Sequence, residues 1–218
     1  MKASLGKAEA WDYISDNPAA KIKVMKESPK KPRLLESDEV VRLLAETPDH
    51  LHALVACAVY AGLRRSELFH LRWEDVDLKE GELRVVSRAD HPTKNRETRH
   101  IPMSTALREA LTRHPRRLGS PYVFVNAHGK PYDNVRKSLN TAAERAGIAE
   151  GVGLHQLRHC FISHCAMASV DPRTLMKWAG HHDLKTTMGY SHVSADHEKS
   201  AIERLQYHHG HQVDTKTG

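Results

Sequence analysis

Long apolar runs are missing from the 218 residues of this sequence. No stretch approaches the roughly 18 consecutive apolar residues of a membrane-spanning helix, which excludes a protein built on such helices. The N-terminal stretch has no apolar segment of the kind found in signal peptides, so we expect no secretion by that route. Aromatic residues make up only 6% of the chain and charged residues 28%, yet a chain of this length still buries a core.

Cysteine is also scarce, because the chain contains only Cys57, Cys160 and Cys165. Three cysteines are too few, and odd in number, for a disulfide framework. This composition favours a reducing compartment, and we predict a cytoplasmic protein.

Basic residues outnumber acidic residues in this sequence. Lysine and arginine number 33 against 27 acidic residues, which gives a formal net charge of +6. A basic surface favours a polyanionic partner such as nucleic acid, although an ordinary basic protein is the alternative. Residues 21–33 hold six basic residues and one acid, and Pro29 and Pro32 prevent a continuous helix. We interpret this stretch as a basic linker that follows a short helix over residues 2–13.

Regular patterns begin at Ser37, which we predict to be the N-cap of a helix. Apolar spacing then predicts further helices over residues 51–59, 65–71, 104–111, 135–143, 154–168, 173–179, 184–190 and 195–205. Residues 82–87 and 100–103 have the pattern of two hairpin strands, and residues 122–125 form another β-type run before a turn. The sequence therefore predicts a mainly α fold with a small antiparallel sheet.

Three polar clusters stand out by spacing alone: GLRRSEL from Gly62, HQLRH from His155, and the stretch from Gly180 to Tyr190. Two separated arginines and two histidines suggest a clamp for an oxyanion, most naturally a phosphate. The alternative at the first cluster is that Arg64 and Arg65 pair with Glu67 as ordinary surface charges.

These clusters, together with PTKNRETRHIP at residues 92–102 and AGHHDLKTTMGYSH at residues 179–192, resemble the signature of the tyrosine recombinase or phage integrase family. The resemblance runs from about Leu35 to about Leu205. It implies the catalytic-domain fold of that family over residues 35–207. Residues 1–34 would then be a residual helix and linker from an absent or truncated core-binding domain, and residues 208–218 a flexible tail.

The resemblance also implies a role for each matching position. Tyr190 would be the nucleophile, Lys94 the general acid, and His155 an aid to proton transfer. The phosphate would be held by Arg64, Arg158 and His181. The implied product is a 3′-phosphotyrosine intermediate with a free 5′-hydroxyl, which a second strand can attack without ATP.

We predict that this reaction needs no metal or other cofactor, because two arginines can neutralise the phosphate. A metal site is the alternative, since histidines and cysteines are dense within one helical segment over residues 155–165. That segment contains neither a Cys-x-x-Cys nor a His-Glu-x-x-His pattern, which argues against it.

The implied partner is double-stranded DNA, bound in the nucleoid by a homo-oligomer, in this family a tetramer, with no membrane association. We predict contacts to the DNA backbone from the following basic residues: Lys21, Lys23, Lys30, Lys31, Arg96 and Arg99. Two alternatives use the same fold. One is nicking and closing of the type IB topoisomerase kind, and the other is a DNA-binding protein without catalysis.

Overall fold

The structure is a computed structural model that describes residues 2–21, 33–88, 98–149 and 151–180. Its contacts divide the chain into two compact units, residues 1–31 and residues 32–218. In the first unit, helix α1 spans Lys2–Ala10 and ends three residues before the predicted end. A turn follows it, in which the Asn17 N–H donates to Glu9 Oε1 across 3.3 Å. The predicted domain boundaries at residues 34 and 207 stay predictions.

Helices α2 (Ser37–Glu46) and α3 (Asp49–Tyr60) open the second unit. Helix α2 begins at Ser37, but the prediction that Ser37 is its N-cap is wrong. Glu36 is the N-cap, because its backbone is extended, and its N–H donates to Glu39 Oε2 across 3.0 Å. The Glu39 carboxylate thus satisfies an N–H that the helix itself leaves without a partner.

Helix α3 lies at the centre of the unit, with eight of its twelve residues buried, seven of them consecutive from Ala53 to Val59. The helical elements that follow it are α4 (Arg65–Phe69), a 3₁₀ turn (Trp73–Asp75), α5 (Thr105–Arg113), α6 (Arg136–Arg145), α7 (Leu154–Met167) and α8 (Pro172–Ala179). Helix α3 packs against α2 and α4 and against the two later helices α5 and α7. From Ala53 to Val59 the helix is apolar on all sides, and such a stretch is stable only when other elements surround it.

The described residues form one antiparallel sheet of three strands in the order β1 (Val76–Asp77), β2 (Glu82–Val85) and β3 (Arg99–Pro102). Strands β2 and β3 are the two predicted hairpin strands, and Leu83 pairs with Ile101 in their register. Both of these side chains are buried, and their neighbours on the same strands alternate outward. The two-residue strand β1 was not predicted, because its length is too short for an alternating pattern to register.

The prediction of a β-type run over residues 122–125 is correct only in part. Tyr122 and Val125 form isolated bridges with Arg72 and Pro131, and no strand connects them. Val123 and Phe124 are nonetheless buried, so the apolar run marks core packing. The predicted turn after it is present, since the Asn126 N–H donates to the Lys130 carbonyl across 2.8 Å.

A mainly α fold with a small antiparallel sheet is therefore confirmed. The helices predicted over residues 184–190 and 195–205 lie outside the described residues. Within the described ranges, the helices are too short or too polar to span a bilayer.

Candidate active site

Gly62 ends α3 in a left-handed turn that leads to Arg64 at the start of α4. Its φ is +60°, a conformation that an L side chain adopts only with strain. A Cβ on Gly62 would lie 2.2 Å from Phe161 Cδ1 of α7, where no atom fits. The glycine therefore lets α7 approach the junction of α3 and α4. Arg64 follows at this junction, with 21% of its side chain exposed.

Arg158 of α7 points into the protein and is only 5% exposed. Its guanidinium donates to the carbonyls of Gly62 and Ala179. His155 lies in the first turn of the same helix and has an exposed side chain. The His-x-x-Arg pair thus places one buried cation and one accessible imidazole at the start of a single helix.

Three consecutive carbonyls at the C-terminal end of α8 each accept from a different arginine. The Trp178 carbonyl accepts from Arg99 Nε across 2.8 Å, and the Gly180 carbonyl accepts from Arg64 Nη2 across 2.6 Å. The Ala179 carbonyl between them accepts from Arg158. The last carbonyls of a helix have no partner within the helix and carry its partial negative charge. This helix end therefore gathers three guanidinium groups directly before residue 181.

Glu67 and Arg99 form a buried ion pair beside this helix end. Arg99 Nη1 and Nη2 lie 2.9 and 2.7 Å from Glu67 Oε1 and Oε2. The Glu67 carboxylate also accepts from Arg64, through the backbone N–H at 2.7 Å and through Nη1 at 3.0 Å. Burial alone would raise the pKa of Glu67, but the hydrogen bonds and charges of Arg99 and Arg64 lower it to about 2. The carboxylate is therefore ionised at neutral pH.

This arrangement agrees with sequence comparison. A profile of the phage integrase family matches residues 33–197, which is three quarters of the chain. The chain belongs to the phage integrase family.

Individual relatives of this integrase-family chain agree with the assignment. Tyrosine recombinase XerD of Staphylococcus aureus is 33% identical over 215 residues, covering 90% of this chain and 69% of XerD. The crystal structure of XerA recombinase gives a TM-score of 0.69 at 25% identity, covering 83% of this chain and 68% of XerA. The Tn1549 transposon integrase in complex with circular intermediate DNA gives 0.71 at 21% identity, covering 94% of this chain and 77% of that integrase. The predicted recombinase catalytic-domain fold is confirmed.

Not every predicted site residue of this family member is described. Arg64, His155 and Arg158 are placed as given above. The other predicted catalytic residues lie outside the described residues, as do most of the predicted DNA contacts: Lys94, His181, Tyr190, Lys23, Lys30, Lys31 and Arg96. Lys21 belongs to the first unit and is exposed. The catalytic roles of all six residues stay predictions.

Arg99 occupies a different environment from the one that the sequence indicated. We expected it to contact the DNA backbone, but the structure buries 92% of its side chain against Glu67 and the Trp178 carbonyl. The physical reason is its register in β3, where Arg99 pairs with Val85 and has an inward-facing side chain.

Glu67 is the residue of this arginine cluster that the sequence analysis did not single out. The alternative that it forms an ordinary surface ion pair is wrong, since its side chain is 3% exposed. Arg65 does not pair with it either, because the Arg65 guanidinium lies over the Phe69 ring and donates to the Asp133 carbonyl. One feature of the sequence could have indicated its role at the helix start. Glu67 lies three residues after Arg64, at position N3 of α4, and a glutamate at N3 is typical of a helix N-terminal capping box.

The histidines and cysteines of α7 do not converge. Among the described residues, no three histidine, cysteine or acidic side chains are grouped closely enough to hold a metal ion. Burial raises the pKa of the Cys160 thiol, which also accepts a hydrogen bond from the Leu35 N–H. Cys160 is therefore a packing residue in this structure, and a metal-free reaction stays a prediction.

Proposed function

We propose that this chain is a site-specific DNA recombinase that cleaves and rejoins DNA strands through a 3′-phosphotyrosine intermediate. Its strongest structural support is the placement of Arg64 and Arg158. These two arginines are far apart in the sequence, and they meet on the neighbouring carbonyls of Gly180 and Ala179. Two guanidinium groups side by side suit the non-bridging oxygens of a phosphodiester.

The proposed reaction needs a nucleophile and a general acid besides the two arginines. The Tyr190 oxygen attacks the scissile phosphorus, and the bond from phosphorus to the 5′-oxygen breaks. Lys94 gives a proton to the departing 5′-oxygen, while His155 takes or relays the tyrosine proton. A free tyrosine has a pKa of roughly 10, so a nearby base and cations are needed to deprotonate it at neutral pH.

His181 is proposed to hold the phosphate from the segment that follows α8. The support is its position, because it comes directly after Gly180, whose carbonyl binds Arg64. Rejoining reverses the chemistry, with the 5′-hydroxyl of another strand as the attacking group. The phosphoester energy is kept in the tyrosyl link, so neither ATP nor a metal ion enters the reaction.

The proposed substrate is double-stranded DNA in the nucleoid, bound by four copies of the chain. Support for DNA comes from the net charge of +6 and from the similar Tn1549 integrase, whose structure contains circular intermediate DNA. Strand exchange between two duplexes requires four cleavage sites, which is the reason for proposing a tetramer.

A covalent-adduct assay tests the proposal. Purified protein is mixed with end-labelled, nicked duplexes that tile the DNA flanking the gene, in the presence of EDTA, and analysed on denaturing gels. The nick lets the short 5′-hydroxyl fragment diffuse away, so the 3′-phosphotyrosine link accumulates. We expect a slowly migrating adduct with the unmutated protein and none with Tyr190→Phe.

The matched control is Tyr13→Phe, which removes the hydroxyl of a tyrosine that is 79% exposed in the first unit. It should form as much adduct as the unmutated protein. An adduct that persists in Tyr190→Phe, or one that EDTA abolishes, would contradict the proposed chemistry.

A further inference from the structure

Arg99 links three elements of the second unit, the strand to which it belongs and two helices. It opens β3, directly after the hairpin segment that carries Lys94 in the sequence. Its guanidinium reaches Glu67 of α4 with two N–H groups and the Trp178 carbonyl of α8 with the third. The base of the hairpin, the start of α4 and the end of α8 are thereby joined through one side chain.

Arg99 bonds to the protein through all three of its guanidinium nitrogens, Nε to the Trp178 carbonyl and Nη1 and Nη2 to the Glu67 carboxylate. Its side chain is 8% exposed, and that of Glu67 is 3% exposed, whereas Arg64 keeps 21% of its side chain open to solvent. Any contribution of Arg99 to cleavage must therefore pass through the groups that it holds. Those groups are the carboxylate and the helix end to which Arg64 is also bonded.

The charges of this cluster explain what Arg99 adds. Glu67 is the only carboxylate that bonds to either guanidinium among the described contacts, and it serves both Arg64 and Arg99. Two guanidinium groups and one carboxylate leave one net positive charge. Without Arg99, the carboxylate would face Arg64 alone, and the pair would have no net charge. A neutral pair attracts a phosphodiester far less than a cationic cluster does.

We propose that Arg99 is a positioning residue for strand cleavage, which shares the Glu67 carboxylate and anchors the end of α8 so that the cluster keeps a net positive charge and Arg64 stays directed at the scissile phosphate. This inference rests on the proposed function. Arginine is required because its planar fork supplies Nε, Nη1 and Nη2 to three acceptors at once. A lysine at this position keeps the charge but offers a single point of contact.

The first experiment compares cleavage of two substrates under single-turnover conditions. One nicked duplex has an ordinary phosphate at the scissile position, and the other has a methylphosphonate, in which a methyl group replaces one charged oxygen. On the ordinary phosphate we expect Arg99→Met to form adduct about 100-fold more slowly, and Arg99→Lys, which keeps the charge but not the planar fork, about 10-fold more slowly, with DNA affinity nearly unchanged in both. On the methylphosphonate, the defect should shrink in parallel with that of Arg64→Ala, because there is less charge to neutralise.

A purely structural role would give a different pattern. Loss of a buried ion pair would lower the unfolding temperature and slow both substrates equally. The matched control is Arg42→Met, which removes an arginine of α2 that donates to the Asp38 carboxylate and to the Ala146 carbonyl at the end of α6. It should leave both cleavage rates unchanged. If Arg99→Met slowed cleavage of the two substrates by the same factor, the inference would be overturned. If Arg99→Met does not fold, the same comparison is made with Arg99→Lys.

The second experiment needs no activity. Side-chain ¹⁵N–¹H spectra report the Arg64 guanidinium, whose signals are assigned by their loss in Arg64→Lys. We expect Arg99→Met to shift these signals and to speed their exchange with solvent, and Arg42→Met to leave them in place. Unchanged Arg64 signals would contradict the positioning role. If the unmutated protein forms no adduct, the proposed function fails, while these spectra still decide the role of Arg99.

Discussion

At the scale of single residues, Gly180 decides how closely the arginines approach the end of α8. Its φ is +63°, and a Cβ there would lie 3.2 Å from Arg64 Nη1 and 3.3 Å from Arg99 Cζ. The position therefore combines a backbone conformation that favours glycine with a side-chain space that two guanidinium groups already fill. Alanine at this position would have to displace one of them.

Gly180→Ala is accordingly expected to lower adduct formation by about 10-fold, because a displaced Arg64 stabilises the transition state less well. Single-turnover cleavage measures this. Gly147→Ala is the matched control, since Gly147 has a φ of +72° after α6 and a Cβ added there would have nothing within 4 Å. Both variants should lose about 1 kcal/mol of unfolding free energy to backbone strain. Equal cleavage rates in the two variants would refute the crowding argument.

Glu67 is expected to make the stability of the protein depend on pH. Its pKa is about 2 in the folded protein against an ordinary value of 4.5, so folding favours the ionised form. The stabilisation is fully present above pH 4.5 and is lost as the pH falls towards 2, about 3 kcal/mol in all. Glu67→Gln lacks this contribution and leaves Arg99 without its carboxylate. Its deficit in unfolding free energy, measured with urea, should therefore be largest near pH 6 and shrink below pH 4.5.

The control for this titration is Glu109→Gln, which alters an exposed pair with Arg113 on α5. Exposed pairs contribute little, so its unfolding free energy should follow that of the unmutated protein at every pH. A Glu67→Gln deficit that stays constant from pH 6 to pH 3 would show that the carboxylate is not ionised in the folded protein.

At the scale of elements, α8 is the short helix on which the site depends. Asp171 caps its start, where the carboxylate accepts the Thr174 N–H at 2.9 Å, and Pro172 occupies its first position. Leu175 and Ala179 face the core, and the three terminal carbonyls hold the arginines. A helix of eight residues has little stability of its own, so its capping and packing set how firmly those carbonyls are placed.

Asp171→Ala should therefore reduce cleavage as well as stability, because fraying at the start of α8 loosens its other end. Ser104→Ala is the matched control, since Ser104 caps α5 by accepting the Leu107 N–H and lies away from the arginines. Loss of the Ser104 cap should lower the unfolding free energy by about 1 kcal/mol and leave the cleavage rate of the folded protein unchanged. The comparison requires urea unfolding and single-turnover cleavage on both variants, and a loss of cleavage in Ser104→Ala would disprove the link to α8.

The elements also show what the sequence can predict. Helices such as α3 and α7 were predictable because an apolar face repeats over three or more turns. The run at residues 122–125 was equally apolar, but its partners are single residues brought in by tertiary contacts, and no local pattern encodes them. The same limit applies to the site. Arg64 and Arg158 carry recognisable motifs, whereas the pairing of Glu67 with Arg99 joins positions 32 residues apart and becomes visible only in the folded chain.

At the scale of the whole molecule, packing of the hydrophobic core positions the arginines of the candidate site. Gly62 ends the buried helix α3 and lets Phe161 of α7 pack at that point, and the same turn supplies the carbonyl that binds Arg158. The two arginines proposed to bind the phosphate are thus placed by the packing of α3, α7 and α8. Affinity for DNA is expected to have a different origin, in basic residues spread over the chain.

The basic linker is expected to carry part of that affinity. Replacement of Lys21, Lys23, Lys30 and Lys31 by alanine should weaken DNA binding at low salt and leave folding unchanged. Each phosphate contact contributes about 0.9 to the slope of log K against log salt concentration, so the slope should fall by up to about 3.6 if all four lysines contact DNA. Fluorescence anisotropy with a labelled duplex over a series of salt concentrations measures this slope.

The control removes the same number of charges elsewhere, at exposed positions of the second unit: Lys79, Arg108, Arg113 and Arg145. If the linker contacts phosphates directly, only its variant lowers the salt slope, because counterions are released only where a side chain neutralises a phosphate. If net charge alone mattered, both variants would weaken binding equally and leave the slopes alike. That result would remove the linker lysines from the DNA interface and assign their effect to long-range attraction.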